Sequence, residues 1–175
     1  MSSPNARMKH IGHHRSAAEL VGHLASNVGL DDPHNDGVRL VDQDGNKIAT
    51  EEQIVELADD WRVHEMSDAA RRRGVLSRVM ELSAPIGSDP KAVHKAAQEW
   101  AHNYFVNRSW VMALQTDEPH PHVHMTYAVR DHEGRRSYFK IGQFRWLYTC
   151  WVACLQDNGI DVEQSRFWRE GGPSQ

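Results

Sequence analysis

Residues 108–130, RSWVMALQTDEPHPHVHMTYAVR, contain two apolar runs joined by a short polar segment. The first run, RSWVMALQ, is typical of a buried strand, and the second, HVHMTYAVR, is rich in β-branched, aromatic and alternating residues. The segment between them, TDEPHP, has the proline and acidic residues of a turn. The stretch therefore predicts an antiparallel hairpin.

Three histidines stand at alternate positions at the start of the second strand: His120, His122 and His124. Side chains alternate along a strand, so the three would share one face of the sheet. An extended strand would separate His120 from His124 by roughly 13 Å, which is too far for one ion unless the chain bends near Pro121. We therefore expect His122 and His124 to form the dependable ligand pair, with His120 completing the site through such a bend.

The source of the third ligand stays open, because the bent segment and the adjacent strand also offer Gln115, Asp117 and Glu118. An imidazole site with an open position suits Mn, Co, Ni or Zn, or Mg when a substrate phosphate supplies oxygens. The bound ion would polarise a phosphoryl oxygen or activate water. The competing interpretation is a set of solvated histidines at an ordinary turn.

Capping signals and apolar spacing predict the rest of the fold. Four helices are expected: about 16–27, from Thr50 onward, from Asp89–Pro90 onward, and about 142–157. Further strands are expected in a hairpin over 38–49 that turns at Asp44–Asn46, in 74–84, and in the short segment SYFKI at 137–141. Antiparallel strands mixed with helices predict the α+β class, with a central antiparallel sheet flanked by helices.

Composition limits the class of protein. The chain has 175 residues, 20.0 kDa and 39% hydrophobic residues, which suits one domain over 1–175. A net charge of −4 means that any nucleic-acid contact must be local. Cys150 and Cys154 are four residues apart in a helical pattern, so reduced thiols are expected. No apolar run reaches the roughly 18 residues of a membrane span, and we expect a cytoplasmic protein without a membrane partner.

The segment LQTDEPHPHVHMTYAVRD resembles the third motif of the HUH relaxases, written H-x-D-x-x-H-P-H-x-H in the mobilisation and T-DNA border-nicking branch (MobA/VirD-like, MOBP-type). Other segments resemble the family in the same order: SAAELVGHLASNVG, IATEEQIVELADDW, SDPKAVHKAAQEWAHNYF and CLQDNGIDVEQSRFWREGG. The resemblance implies an antiparallel palm with a histidine-bound metal, Mn or Mg before Zn, Co or Ni. It also implies a transesterification that attaches the protein to the 5′ end of a nicked strand.

Residue by residue, the resemblance carries over with two departures. His120, His122 and His124 match the H-P-H-x-H core as metal ligands, and Asp117 matches the motif aspartate, which orients a histidine or activates the nucleophile. Gln115 stands where the motif begins with a metal-binding histidine. His23 stands where the family usually has its catalytic tyrosine.

His23 has two interpretations. A neutral imidazole is a competent nucleophile at pH 7, whereas a tyrosine must first lose a proton with a pKa near 10. The product would be a phosphoramidate that can be religated. The other interpretation is that His23 replaces a lost nucleophile in a degenerate copy. Tyr127 ranks below His23, because strand parity places it on the face opposite His124.

The leading hypothesis is a relaxase domain that nicks and rejoins single-stranded origin-of-transfer DNA. It would work with relaxosome accessory proteins and a type IV secretion coupling protein, and it could be the N-terminal fragment of a longer protein. The alternatives are a catalytically impaired origin-binding accessory protein and a metal hydrolase that uses water. Six arginines are candidate phosphate contacts: Arg71, Arg72, Arg73, Arg130, Arg135 and Arg136.

Overall fold

The computed structural model describes residues 6–28, 40–64, 75–136 and 139–163. In chain order its elements are β1 (Arg7–His14), α1 (Ala17–Val28), β2 (Leu40–Asp42), β3 (Lys47–Ile48), α2 (Glu51–His64), β4 (Ser77–Ser83), α3 (Pro90–Tyr104), β5 (Trp110–Gln115), β6 (His122–Ala128) and α4 (Ile141–Asp157).

The strands form one antiparallel sheet in the order β1-β4-β6-β5-β2-β3. The predicted hairpin is confirmed as β5 and β6, which pair from Trp110–Tyr127 to Gln115–His122. On its other side β6 pairs with β4, which places the histidine strand inside the sheet rather than at an edge. The α+β class with a central antiparallel sheet is confirmed.

Helices cover both faces of this sheet. One core packs α3 and α4 against inward side chains such as Met80, Val123 and Met125. The other core packs α1 and α2 against the opposite face, where Val111, Ala113 and Ala128 contribute. Alternate residues of β6 therefore face different helix pairs, and the even-numbered histidines face α1 and α2.

The predicted helix starts are confirmed in their hydrogen bonds. Ser16 Oγ accepts from the backbone N–H of Glu19, and the Thr50 hydroxyl accepts from that of Gln53. Asp89 caps α3 by accepting from Lys91 N, directly before Pro90 at the first turn. The Ser16 cap fixes where α1 begins, and hence where His23 lies on that helix.

Two differences from the predicted elements involve polar segments. Strand β1 was not predicted, because most of its side chains are exposed and it lacks the alternating apolar pattern that marks a half-buried strand. The predicted strand at 137–141 is wrong where the structure describes it: Phe139 and Lys140 lack regular structure and Ile141 begins α4. Arg136, just before this segment, forms an isolated bridge with Arg130. Among the described helices, none combines the length and apolarity that crossing a bilayer requires.

Candidate metal centre and nucleophile

A potential metal site lies where β4 and β6 pair. Glu81 stands opposite His124 in the register, so both side chains project from the same sheet face. One ligand atom from each of Glu81, His122 and His124 lies within 4.8 Å of the others. We call these three residues the inner group, and it could hold a divalent metal ion.

A second group overlaps the first. Glu118, His120 and His122 also bring one ligand atom each within 4.8 Å of one another, and we call them the outer group. Glu118 Oε2 lies 3.0 Å from His120 Nε2. Neither group contains all three predicted histidines: the structure places His120 and His124 in different groups that share His122. A single site made of the three histidines stays a prediction.

The donors of the inner group fit a metal. Two imidazoles and one carboxylate suit the borderline divalent ions, whose usual ligands are nitrogen and oxygen. Within the described part of the chain, Nδ1 of His124 is buried without a hydrogen-bond partner, so this nitrogen is available to an ion. His122 Nδ1 lies 3.3 Å from the carbonyl oxygen of His120, which can only accept. That contact places the ring proton on Nδ1 and leaves Nε2 with the lone pair.

Glu81 is the ligand candidate that the sequence analysis missed. Its Oε2 lies 3.4 Å from His124 Nε2, and its Oε1 lies 3.5 Å from the ammonium of Lys9 on β1. A signal was present, because Glu81 interrupts the apolar run of a central strand between Met80 and Leu82. A mostly buried carboxylate requires a partner, and here cations and imidazoles supply it.

His23 projects from α1 toward the same sheet face. Its ring centroid lies 4.8 Å from that of His14, and its Nε2 lies 3.1 Å from the amide nitrogen of Asn27, one turn later. Burial, together with smaller effects of the positive charges of protonated His14 and His124, lowers the pKa of His23 to about 4. The structure therefore brings His23 into electrostatic contact with a residue of the inner group.

His14 is a second residue that the sequence analysis missed. It ends β1, is buried, and hydrogen bonds through Nδ1 to Ser77 Oγ at 2.9 Å. Burial lowers the pKa of His14, with a smaller opposing effect from Glu19. Its place beside His23 depends on the pairing of β1 with β4, which no local sequence pattern indicates.

Gln115 and Asp117 occupy different surroundings. Gln115 ends β5 directly opposite His122, so it stands beside the inner and outer groups on the same face. Asp117 is exposed in the following turn and belongs to neither group. Burial and His122 lower the pKa of His124, while Glu81 and then Asp117 act to raise it. Asp117 is therefore near enough to stabilise a positive charge on His124.

The arginines proposed for DNA contact fall into two sets. Arg130 donates to the carbonyl of Gly134 at 2.7 Å, and Arg136 donates to that of Val75 at 2.9 Å. Arg135 pairs with Asp131 and Glu133 at 3.1 and 2.7 Å. These contacts organise the turn after β6, and DNA contact by the three stays a prediction. Arg71, Arg72 and Arg73 lie outside the described residues.

Tyr127 lies on the other face of the sheet. Its hydroxyl is 2.7 Å from His10 Nε2, and its ring packs against Phe105 and Phe139. Burial raises the pKa of Tyr127 well above its usual range, so its phenolate is strongly disfavoured. Tyr127 therefore has neither the location nor the acidity of a nucleophile for the inner group.

Comparison with known protein families adds an independent result. The family model for relaxases, described as MobA/VirD2-like, nuclease domain, matches residues 30–147, about two thirds of the chain. The match includes both metal-ligand groups and begins after α1, so His23 lies before it. No curated protein sequence matches the chain. The extent of the family match shows that the chain belongs to the MobA/VirD2-like nuclease-domain family and is a DNA relaxase domain.

Proposed function

We propose that this relaxase domain cuts one strand of origin-of-transfer DNA by nucleophilic attack of His23 on the scissile phosphodiester. The observation that carries the proposal is the position of His23 on α1, where its pKa responds to the charge of His124 in the inner group. A nucleophile and a Lewis-acid site on one sheet face are the two parts that phosphoryl transfer requires.

The proposed step conserves atoms and charge. The lone-pair nitrogen of His23 attacks phosphorus, a P–N bond forms, and the bond from phosphorus to the 3′ oxygen breaks. The other ring nitrogen then loses its proton, and the departing 3′ oxygen gains one. The products are a phosphoramidate at the 5′ phosphate and a free 3′ hydroxyl. Attack by that hydroxyl on the phosphoramidate reverses the step and rejoins the strand.

The surroundings of His23 keep its imidazole neutral. Because the pKa is lowered to about 4, the ring is unprotonated at neutral pH and carries one lone pair. The amide nitrogen of Asn27 donates to Nε2, which places the ring proton on Nδ1. Asn27 thus selects the tautomer with the lone pair on Nε2. Breaking this hydrogen bond frees Nε2 to attack phosphorus.

Mn or Mg is the proposed metal, with Zn, Co or Ni as further candidates. Glu81, His122 and His124 would hold the ion. When bound, it would supply Lewis-acid stabilisation of the charge that develops on the phosphoryl oxygens. Asp117 acts as a positioning residue in this proposal, since its carboxylate lies near enough to His124 to affect the pKa of that imidazole, and its negative charge would favour a cation held there.

The wider setting is proposed from the family. The DNA partner is the single-stranded transfer origin, contacted by arginines that include Arg71, Arg72 and Arg73 and those of the turn after β6. Relaxosome accessory proteins and a type IV secretion coupling protein are the proposed protein partners. The relaxase domain is proposed to act in the cytoplasm.

The test begins with DNA binding. Labelled single-stranded oligonucleotides that tile the transfer origin are screened by fluorescence anisotropy, and a bound oligonucleotide is incubated with the protein and Mn. A denaturing gel should show a DNA fragment linked to the protein through its 5′ phosphate. Mild acid should release this fragment, because P–N bonds are acid-labile.

His94→Ala is the matched control for His23→Ala. Both histidines lie on helices and contact an amide nitrogen four residues later at 3.1 Å, but His94 lies on α3, across the sheet. The adduct should disappear in His23→Ala and persist in His94→Ala. An adduct that survives in His23→Ala would refute the proposed nucleophile, and a free 5′ phosphate would indicate a hydrolase.

Gln115 supports a second candidate function. It stands opposite His122 where the family motif has a metal-binding histidine, and an amide is a weaker ligand than an imidazole. An origin-binding accessory protein would bind the oligonucleotide and yield neither adduct nor cleavage. Gln115→His should restore cutting if the loss of this ligand is the cause.

A further inference from the structure

The inner and outer groups share one residue, His122. Glu81 and His124 form the rest of one group, and Glu118 and His120 form the rest of the other. The ring centroid of His122 lies 5.1 Å from that of His124 and 5.8 Å from that of His120. His122 is itself buried, and it is the ligand that both pairs would share.

His122 can serve only one of these groups at a time. Its Nδ1 proton is directed at the carbonyl oxygen of His120, at 3.3 Å. The neutral ring then has a single lone pair, on Nε2, and one lone pair coordinates one ion. Occupation of one group therefore deprives the other of its shared ligand.

The two groups also differ in exposure. The side chains of Glu118 and His120 are 55% and 39% exposed, whereas those of Glu81 and His124 are 18% and 19% exposed. The outer group is therefore the more accessible of the two to an ion in solution. The inner group offers fewer contacts to water and lies on the side of His23, whose pKa responds to His124.

We propose that the domain binds one divalent transition-metal ion in two mutually exclusive positions, an outer capture position and an inner working position. Glu118 and His120 would hold the ion with His122 in the outer position, and Glu81 and His124 would hold it with His122 in the inner position. The carboxylates of Glu81 and Glu118 would thereby replace the single histidine that the motif would place at Gln115. This inference rests on the metal dependence of the proposed function, and it adds an ion position and two ligands.

Metal binding without DNA tests the inference on the full chain. Co²⁺ serves as the probe, with stoichiometry from calorimetry and ligand environment from visible absorption. The wild-type chain should bind one ion. Glu81→Gln should still bind one ion, with a changed absorption spectrum, because the outer position remains.

His122→Ala is the decisive variant, because both positions lose their shared ligand. Its affinity for Co²⁺ should fall by at least about 100-fold, the upper range for losing an outer-shell partner. His120→Ala or Glu81→Gln alone should each cost less, and the double variant Glu81→Gln/His120→Ala should fall as far as His122→Ala. His94→Ala controls for the loss of a histidine elsewhere, and a thermal melt confirms that each variant is folded.

Three results would overturn the inference. Two ions bound per wild-type chain would show independent sites. Complete loss of binding in Glu81→Gln would show that the outer position does not exist, and a double variant equal to Glu81→Gln would show the same. Because no DNA is present, these results are separate from the proposed function: a chain with the expected Co²⁺ pattern and no DNA adduct would refute the nicking proposal alone.

Discussion

The two faces of the sheet differ in chemistry although they are built from the same strands. On the α3 and α4 face, aromatic and aliphatic side chains surround Tyr127, whose hydroxyl lies within hydrogen-bond distance of His10. On the α1 and α2 face, the imidazole of His23 lies beside that of His14 and within electrostatic reach of His124, which in turn contacts Glu81. Burial acts on both faces, but it disables a tyrosine on one and keeps a histidine neutral on the other.

The contrast matters because both faces contain a candidate nucleophile. Desolvation disfavours the charged form of any group. For Tyr127 the charged form is the nucleophilic phenolate, so burial works against reactivity. For His23 the neutral form is nucleophilic, so burial works in favour of it. A partly buried histidine beside the inner group can therefore act as a nucleophile in its neutral form. A tyrosine in the same position would need a nearby cation to stabilise its phenolate.

The largest expected effect separates these two residues. His23→Ala should reduce the rate of adduct formation by at least about 10³-fold, because removal of a covalent nucleophile leaves only binding and electrostatic effects. Tyr127→Phe should leave the rate within about 2-fold and lower the free energy of unfolding by about 1 kcal/mol through loss of its hydrogen bond to His10. Single-turnover kinetics and urea unfolding measure the two quantities. Equal losses of adduct in both variants would contradict the assignment of separate functions to the two faces.

Neighbours on β6 provide the next contrast. Met125 is fully buried on the α3 and α4 face, and Met125→Ala should lower the free energy of unfolding by about 2–5 kcal/mol while Co²⁺ binding persists. His124→Ala should destabilise the metal-free chain less and weaken Co²⁺ binding measurably, because it removes the inner position and leaves the outer one. Urea unfolding and calorimetry on both variants test this. Comparable losses of metal affinity would mean that the inner group depends on general packing rather than on its ligands.

The sequence predicted which face of the sheet each side chain of β6 occupies, but it did not predict which residues of other strands lie beside them. Alternation along 122–128 correctly placed His122 and His124 opposite Tyr127, because side-chain period is a local property. Glu81 and His14 were not predicted, since their places depend on strand register: Glu81 meets His124 across 43 positions of sequence. Likewise β1 escaped prediction because an exposed edge strand carries no apolar period, although its last residue lies beside His23.

Acid should weaken the α3 and α4 face through His10. Burial, with a smaller effect of Arg78, lowers the pKa of His10 to about 4. Between pH 6.5 and about 4 the unfolded chain binds a proton at this residue and the folded chain does not, so the free energy of unfolding falls as pH falls. His10→Gln, which keeps a partner for Tyr127, should make this decline shallower. Urea midpoints across the pH range test it, and an unchanged slope would show that other groups govern the decline.

The smallest expected effects come from the helix caps. Asp89 caps α3 and Ser16 caps α1, so Asp89→Ala and Ser16→Ala should each lower the free energy of unfolding by about 1 kcal/mol. Their consequences for adduct formation should differ. The cap at Ser16 lies two turns before His23 on the same helix, so loosening it lets the nucleophile move relative to His124.

Ser16→Ala should therefore reduce the rate of adduct formation by several-fold, a small fraction of the loss in His23→Ala, because misplacement of a reacting group is costly even when the group is retained. Asp89→Ala should leave the rate unchanged at temperatures where both variants are fully folded. Single-turnover rates measured at matched folded fractions provide the comparison. If both caps lowered the rate equally, general stability rather than the position of α1 would limit the reaction, and the two faces would be coupled more tightly than their separate cores suggest.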